Sequence, residues 1–151
     1  MIKSPSDNLS YRYPVSIKGI VLIDGKIPLL KNEREEFELP GGKLEIDEQP
    51  EECVCREIQE ELSITVKVDS IIDSWLYRIT KDVNVIIITY GCTLIGNAEQ
   101  LTFSHEHKSL IMADLKEIEM LNMPDGYKKS ISNWARRFLL NKNYDGNLSS
   151  Y

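Results

Sequence analysis

Cysteine is scarce in this chain, which has three cysteines among 151 residues. Cys53 and Cys55 lie two positions apart in a helical pattern, so their side chains point to nearly opposite sides of that helix. An odd number of cysteines at this spacing predicts neither a disulfide framework nor a zinc site. We expect three buried, reduced thiols, with Cys92 in the core of a strand.

Long apolar runs and an excess of positive charge are also missing. The longest apolar run, Val85 to Ile88, is far too short to cross a bilayer, and the N-terminal residues contain no apolar segment of signal-peptide length. The formal net charge is -6, which argues against an extended nucleic-acid surface because such a surface needs clustered lysine and arginine. These absences predict a cytoplasmic protein with no membrane partner, in which an anionic ligand would need a metal or a few placed cations.

The composition is that of one folded domain. Hydrophobic residues make up 42% of the chain, enough for a sizeable core at this length. No internal repeat or interdomain linker is evident in the sequence. We predict a single domain over residues 1–151, with a loose tail from about residue 142.

Two hairpins are predicted from the strand patterns. Asp24 and Gly25 separate two apolar segments between residues 15 and 30, and both residues tolerate the positive φ of a tight turn. Two longer apolar segments, residues 66–78 and 85–95, flank a polar turn and are predicted to pair with each other. Between the hairpins, a short strand over residues 36–39 is predicted to end in a loop of Pro40, Gly41 and Gly42.

The last third of the chain is predicted to hold one more strand and the final helix. Residues 101–113 suggest a strand with a polar loop inside it, followed by a short helical piece over residues 114–120. The final helix begins after Pro124. Four of its apolar residues recur at three- and four-residue spacing and are predicted to pack on the core: Ile131, Trp134, Ala135 and Phe138.

An acidic helix beginning at Pro50 is the least ordinary part of the sequence. Helical geometry places Glu57, Glu60 and Glu61 on one face, next to an apolar arc that is predicted to face the sheet. Like charges at positions i and i+4 cost about 0.2 to 0.5 kcal/mol per pair, a cost that a bound dication would reverse. Mg²⁺ and Mn²⁺ suit such oxygen ligands, although a solvated acidic face explains the charge alone equally well. The apolar arc consists of Val54, Cys55, Ile58 and Leu62.

The residues from Gly42 to Ile64 resemble the box of the Nudix family, G-x5-E-x7-R-E-U-x-E-E-x-G-U, where U is a bulky apolar residue. Ser63 takes the place of the family's last glycine, just past the helix, where a left-handed conformation costs serine on the order of 1 kcal/mol. The other specified positions match and follow a strand and a turn, which makes chance similarity a poor explanation. The matched residues are Gly42, Glu48, Arg56, Glu57, Ile58, Glu60, Glu61 and Ile64.

The resemblance implies an α/β (α+β) fold, an α/β/α sandwich around a central mixed sheet. It also implies an enzyme acting on phosphorus-containing acid anhydrides, with Mg²⁺ or Mn²⁺ and no covalent intermediate. By similarity, Glu57, Glu60, Glu61 and the carbonyl of Gly41 would be metal ligands. Arg56 would hold Glu57 or Glu48 by a two-pronged pairing, so that Glu48 and Gly42 support the site rather than bind the metal.

The general base is left open by the resemblance. It would be Glu57 itself or a glutamate from a loop after the box, for which Glu106 is favoured over Glu99, either as the base or as an additional metal ligand. His105 and His107 flank Glu106, but a solvated loop or a structural hydrogen bond explains them better than catalysis.

The substrate is the least specified feature. The leading hypothesis is hydrolysis of a nucleoside diphosphate linked to a moiety X, with ADP-ribose as the first guess. The alternatives are a nucleoside triphosphate pyrophosphatase, a non-catalytic nucleotide sensor, and a calcium-binding or protein-interaction helix. Weak candidates for binding the substrate are Arg34, Lys43 and Phe37, with Lys128 a further cation. The resemblance also allows a homodimer, for which the sequence shows no surface patch.

Overall fold

The computed structural model describes residues 10–148, with side chains of the last helix described through Phe138. Within this part of the chain, no helix combines the length and the apolar composition needed to span a membrane. The elements are β1 (Val15–Val21), β2 (Ile27–Lys31), β3 (Phe37–Glu38), β4 (Gly41–Lys43), α1 (Pro50–Leu62), β5 (Thr65–Arg78), β6 (Asn84–Ile95), β7 (Ser109–Ala113), a 3-10 helix (Leu115–Met120) and α2 (Asp125–Leu148).

A four-stranded mixed sheet forms the centre of the molecule, in the order β4-β1-β6-β5. The central strands β1 and β6 are parallel, and the other two pairings are antiparallel. A smaller antiparallel sheet has the order β3-β2-β7. Helices therefore accompany a central mixed sheet, which confirms the predicted fold class.

Alternating residues of β1 show how the two long helices are placed. Ile17 and Val21 belong to a core cluster with Val54, Ile58 and Leu62 of α1. Ile20 points the other way and belongs to a second cluster that contains Tyr127, Ile131 and Trp134 of α2. Because successive side chains of a strand face opposite sides, α1 and α2 cover opposite faces of the sheet.

The predicted apolar faces of the two helices are confirmed, with one difference in degree. Ile131 and Trp134 are buried, while Ala135 and Phe138 are partly buried against the same core. On α1, Cys55 is only partly buried, whereas Cys53 is buried. All three cysteines are free thiols, and Cys92 lies in the core as predicted.

The first predicted hairpin is wrong beyond its turn. Asp24 and Gly25 do adopt positive φ angles of 51° and 78°, and Ile23 and Lys26 form a bridge across them. The strands then separate into different sheets, because β4 and β6 already occupy both edges of β1. The second predicted hairpin is confirmed, with β5 and β6 paired along their length and two irregularities in the register.

The predicted loop at Gly41 and Gly42 is also wrong, since these residues form β4. Gly41 lies opposite Lys18 and Gly42 lies opposite Ile17 in the antiparallel ladder with β1. Gly41 has a φ of 144°, and a Cβ there would lie 1.9 Å from the carbonyl oxygen of Ile17. Because Gly41 has no side chain, β4 can approach β1 closely at this position. The sequence alone indicates only a flexible backbone here.

After β6, the structure differs less from the sequence predictions. Only residues 109–113 of the predicted strand are extended, because residues 101–108 form a loop against the end of α1, and the short helical piece is a 3-10 helix. The backbone of α2 is helical as far as Leu148, past the predicted start of the tail near residue 142. No proline interrupts this stretch, so the helical hydrogen bonds can continue. The rest of that tail, residues 149–151, lies outside the described residues.

Ser63 ends α1 in the left-handed conformation that the sequence predicts. Its φ is 58° and its ψ is 34°, and its N–H donates to the carbonyl oxygen of Gln59 at 3.0 Å. We expect Ser63→Gly to leave the free energy of unfolding unchanged or to raise it by up to about 1 kcal/mol, because glycine adopts this conformation without Cβ strain. Chemical denaturation measures the difference.

Ser132→Gly is the matched control for this prediction. Ser132 is exposed within α2, where glycine is expected to lower the free energy of unfolding by roughly 0.5 kcal/mol. A clear loss of stability in Ser63→Gly would show that the left-handed cap does not strain serine.

Candidate active site

Arg56 forms a bidentate ion pair with Glu48. Its Nε lies 2.6 Å from Glu48 Oε2, and its Nη2 lies 2.9 Å from Glu48 Oε1. The Arg56 guanidinium holds the pKa of Glu48 down at about 2. The loop before α1 is thereby fastened to the middle of the helix by a planar, directional contact.

The same guanidinium reaches three further carboxylates, one of which is Glu45, whose Oε1 lies 3.6 Å from Nη1. Arg56 Nη1 donates to Glu57 Oε1 at 2.9 Å and to Glu60 Oε2 at 3.3 Å. Glu57 is mostly buried, whereas the Glu60 side chain is 59% exposed. One cation therefore holds two acids of the acidic face and two acids of the preceding loop in place, and it offsets part of their mutual repulsion.

Strand β4 places its two glycines beside Glu57 and Glu61. The N–H of Gly41 donates to Glu61 Oε2 at 3.0 Å. A Cβ on Gly42 would lie 2.4 Å from the carboxyl carbon of Glu57. The glycine pair thus lies directly beside Glu57 and Glu61, as the box resemblance implies.

Glu61 is a buried carboxylate whose negative charge is only partly stabilised by its surroundings. Only 6% of the residue is exposed, and burial raises the pKa of its carboxyl group to about 7 even though Lys18 and the Gly41 N–H act in the opposite direction. A second positive charge beside Glu61 would favour its ionised form. The environment of Glu61 is therefore one that a bound cation would stabilise.

The acidic face fits a divalent cation in its chemistry but does not gather its ligands beforehand. Carboxylate and carbonyl oxygens are the donors that Mg²⁺ and Mn²⁺ prefer. Among the described residues, however, no three His, Cys, Asp or Glu side chains already converge on one point. Glu57 Oε1 and Glu60 Oε2 accept from Arg56, which leaves the second oxygen of each carboxylate without a donor among the described residues and able to ligate a metal.

Sequence reasoning missed a second group of charges, formed by Lys18, Glu38 and His107. His107 Nε2 lies 3.4 Å from Glu38 Oε1, and Asn32 donates to Glu38 Oε2 at 3.3 Å. Burial raises the pKa of Glu38, but Lys18 and these two donors outweigh it and lower the pKa to about 2. The hydrogen bond to Glu38 raises the pKa of His107.

Lys18 was detectable in the sequence as a lysine within the apolar strand pattern of β1. Burial acts to lower the pKa of its ammonium group, but Tyr127, Glu38, Glu61 and Glu57 raise it further than burial lowers it. Glu38 was detectable as the inward position of a short alternating strand. Neither signal identifies a partner, because Lys18 and Glu38 lie on strands of different sheets and come to one cleft only through the fold.

The loop that carries Glu106 lies against the end of α1. Ser104 and Thr102 donate backbone hydrogen bonds to the carbonyl oxygens of Glu61 and Leu62, at 3.0 and 3.1 Å. The Glu106 side chain is exposed on this loop. The competing Glu99 is also exposed, in a neighbouring turn where its N–H donates to Asn97.

A cleft lies on the α2 side of the mixed sheet and is lined by residues of all four of its strands and of β3. Its lining includes Lys18, Arg34, Glu38, Lys43, Tyr77 and Tyr127. Two of the three substrate candidates from the sequence therefore share one cleft. Phe37 does not line it, since strand alternation places its side chain opposite that of Glu38, against the core and 5.3 Å from Lys31 Nζ. Lys128 lines a different groove, beside Glu119.

Comparison with known proteins agrees with the fold and the box. A family model described as the NUDIX domain matches residues 14–135. A "MutT-like protein" of Streptomyces ambofaciens is 31% identical over 124 residues, covering 76% of this chain and 79% of the relative. An "ADP-ribose pyrophosphatase" of Methanocaldococcus jannaschii is 42% identical over 67 residues, which cover 41% of this chain and 40% of the relative.

Solved structures show the same architecture. The crystal structure of a MutT protein from Methanosarcina mazei superposes with a TM-score of 0.71 at 24% identity, covering 85% of this chain and 98% of that one. This similarity shows the fold, whereas the family model covers most of the sequence, including the entire acidic helix. The chain therefore belongs to the Nudix family and is a hydrolase of phosphorus-containing acid anhydrides.

Proposed function

We propose that this protein hydrolyses the pyrophosphate bond of a nucleoside diphosphate linked to a moiety X, with ADP-ribose as the first substrate to test. The observation that carries the proposal is the acidic face of α1, where Arg56 orders Glu48, Glu57 and Glu60 while Glu61 is buried beside Gly41. The pyrophosphatase relative supports the choice of ADP-ribose, although it matches over less than half of its length.

A divalent cation is part of this proposal. Glu57, Glu60, Glu61 and the Gly41 carbonyl would hold Mg²⁺ or Mn²⁺, with Arg56 and Glu48 keeping the carboxylates in order. When bound, such an ion neutralises phosphate charge and lowers the pKa of a coordinated water. Phosphoryl chemistry asks the protein mainly for positioning and charge stabilisation, which a rigid helix face can supply.

The proton acceptor is proposed to be Glu106, with Glu57 and Glu99 as the alternatives. The backbone hydrogen bonds of Ser104 and Thr102 hold the Glu106 loop against the end of α1, which supports this choice. Glu106 is also exposed to solvent, from which a nucleophilic water could be drawn.

Turnover of a substrate panel tests the proposed function. Nucleoside diphosphate sugars, nucleoside triphosphates and dinucleoside polyphosphates are incubated with Mg²⁺, with chelator, and with Mg²⁺ restored after chelation. We expect cleavage of ADP-ribose or a related nucleotide sugar, loss of at least about a hundredfold in rate with chelator, and recovery with Mg²⁺. Product release is measured by chromatography.

The other outcomes identify the rival functions. Preferred cleavage of triphosphates would replace the nucleotide sugar with the triphosphate pyrophosphatase alternative. No cleavage of any substrate, with nucleotide binding intact, would favour the sensor and refute the proposed hydrolysis. The ordered acidic face argues against a sensor, because nucleotide binding alone does not require four acids around one arginine.

A further inference from the structure

Lys18 occupies an unusual place for a lysine. It lies in β1, between β4 and β6, and only 6% of the residue is exposed. Its register neighbours are Gly41 on one side and Thr89 on the other. Most of the Lys18 side chain is therefore removed from water, and its ammonium group, which faces the cleft, is stabilised by any hydrogen-bond acceptor that the cleft supplies.

No described residue supplies Lys18 with an acceptor at contact distance. Among residues 10–138, Lys18 forms neither an ion pair nor a side-chain hydrogen bond. Glu38, Glu61 and Glu57 favour its charge from farther away, and the ring of Tyr127 lies 5.9 Å from its Nζ. The hydroxyl of Thr89, on the neighbouring strand, is also buried without a partner in this part of the chain.

A second cation faces the same cleft. Lys43 lies opposite Ser16 in the antiparallel ladder, two residues along from the Lys18–Gly41 pair, so both lysine side chains point to one side of the sheet. Diagonal neighbours of this kind lie roughly 7 to 8 Å apart at the backbone, within reach of one ligand. Arg34, by contrast, is already paired with Glu33 and Glu36.

We infer that Lys18 binds a phosphate group of the substrate in this cleft, with Lys43 as the second cation. The three donors of an ammonium group that has no acceptor among the described residues, beside another lysine and within electrostatic reach of Glu57 and Glu61, suit an anion with several acceptor oxygens. A purely structural counter-charge would be expected to form a contact ion pair with Glu38 or Glu61, which is not observed. The inference rests on the proposed function for the identity of the phosphate, but its test does not need turnover.

Calorimetric titration of Lys18→Met tests the inference in the presence of chelator. The probes are ADP-ribose and inorganic pyrophosphate, and the comparison is with the parent protein. We expect Kd for both probes to rise about tenfold to a hundredfold, as for the loss of a hydrogen bond to a charged group. With Mg²⁺ and an active substrate, we expect KM to rise more than kcat falls.

Lys67→Met is the matched control, because Lys67 is an exposed lysine of β5 outside the cleft. It is expected to bind both probes like the parent. Thermal unfolding reports whether Lys18→Met remains folded. In the parent, the NMR resonance of the Lys18 ε-carbon is expected to shift on adding either probe, which tests the contact even if the variant fails to fold.

The results separate this inference from the proposed function. Folded Lys18→Met with the Kd of the parent, or a parent that binds neither probe, would overturn the inference. An unshifted Lys18 resonance at saturating probe would do the same. Weakened binding in Lys18→Met together with an inactive parent would refute the proposed hydrolysis and leave the phosphate site standing.

Discussion

Glu60→Gln is expected to remain folded and to lose at least about a hundredfold in kcat with Mg²⁺. Loss of a residue that merely supports a metal ligand already costs about tenfold to a hundredfold, and Glu60 is proposed to bind the metal directly. The fold should survive because the side chain is 59% exposed and, among the described residues, its only polar contact is the 3.3 Å bond to Arg56. Steady-state kinetics and calorimetric titration with Mn²⁺ measure the two effects of the substitution.

Glu52→Gln is the matched control for Glu60→Gln. Glu52 lies in the first turn of α1 and accepts a hydrogen bond from the backbone N–H of Gln49, a capping role that glutamine can also fill. It loses one negative charge from the same helix, so it reports the effect of net charge alone. Activity of Glu60→Gln within a few fold of the Glu52→Gln value would remove Glu60 from the ligand set.

The acidic helix was predictable in detail because its information is local. Pro50 specifies the first turn, and helical periodicity separates Glu57, Glu60 and Glu61 from the buried arc. Even the left-handed end at Ser63 follows from one position in the box. The sequence predicts that Arg56 pairs with either Glu48 or Glu57, and in the structure its guanidinium donates to both.

The strand partners were less predictable because pairing depends on distant segments. The Asp24–Gly25 turn has the expected backbone, but the competition of β4 and β6 for β1 sends β2 into another sheet. Gly41 and Gly42 have strong loop propensity, yet a Cβ on Gly41 would meet the backbone of β1 and a Cβ on Gly42 would meet Glu57, so a strand fits here without displacing a neighbour only with glycine at both positions. Local propensity favours a loop here, and tertiary contact overrides it.

The cleft was the hardest feature to infer. Arg34 and Lys43 were candidates only as cations near the box, and Phe37 was a candidate only as an aromatic residue. Lys18 and Glu38 line the same cleft because β1, β3 and the loop before β7 converge, which no spacing in the sequence reveals. Residues of a binding cleft are contributed by separate elements, so their shared location depends on the fold.

Gly42→Ala is expected to lower kcat by about a hundredfold while changing the free energy of unfolding by less than about 1 kcal/mol. The added Cβ would lie 2.4 Å from the carboxyl carbon of Glu57 and 2.6 Å from both its oxygens, so the carboxylate must move. A displacement of about 1 Å in a reacting group costs about that much in rate. The stability effect is small because the end of a flexible side chain can yield more cheaply than packed backbone.

Gly41→Ala, one position earlier, supplies the opposite control. There the added Cβ would meet backbone, 1.9 Å from the Ile17 carbonyl oxygen, at a φ of 144°, so the variant is expected to lose stability rather than activity alone.

A double-mutant cycle on Mn²⁺ affinity shows whether Gly42→Ala acts through Glu57 or by disrupting the site in another way. If Gly42→Ala acts by displacing Glu57, it should weaken Mn²⁺ binding in the parent and add no further loss to Glu57→Gln. Equal losses in both backgrounds would mean that the methyl group acts elsewhere, and that Gly42 has a role other than making room for Glu57.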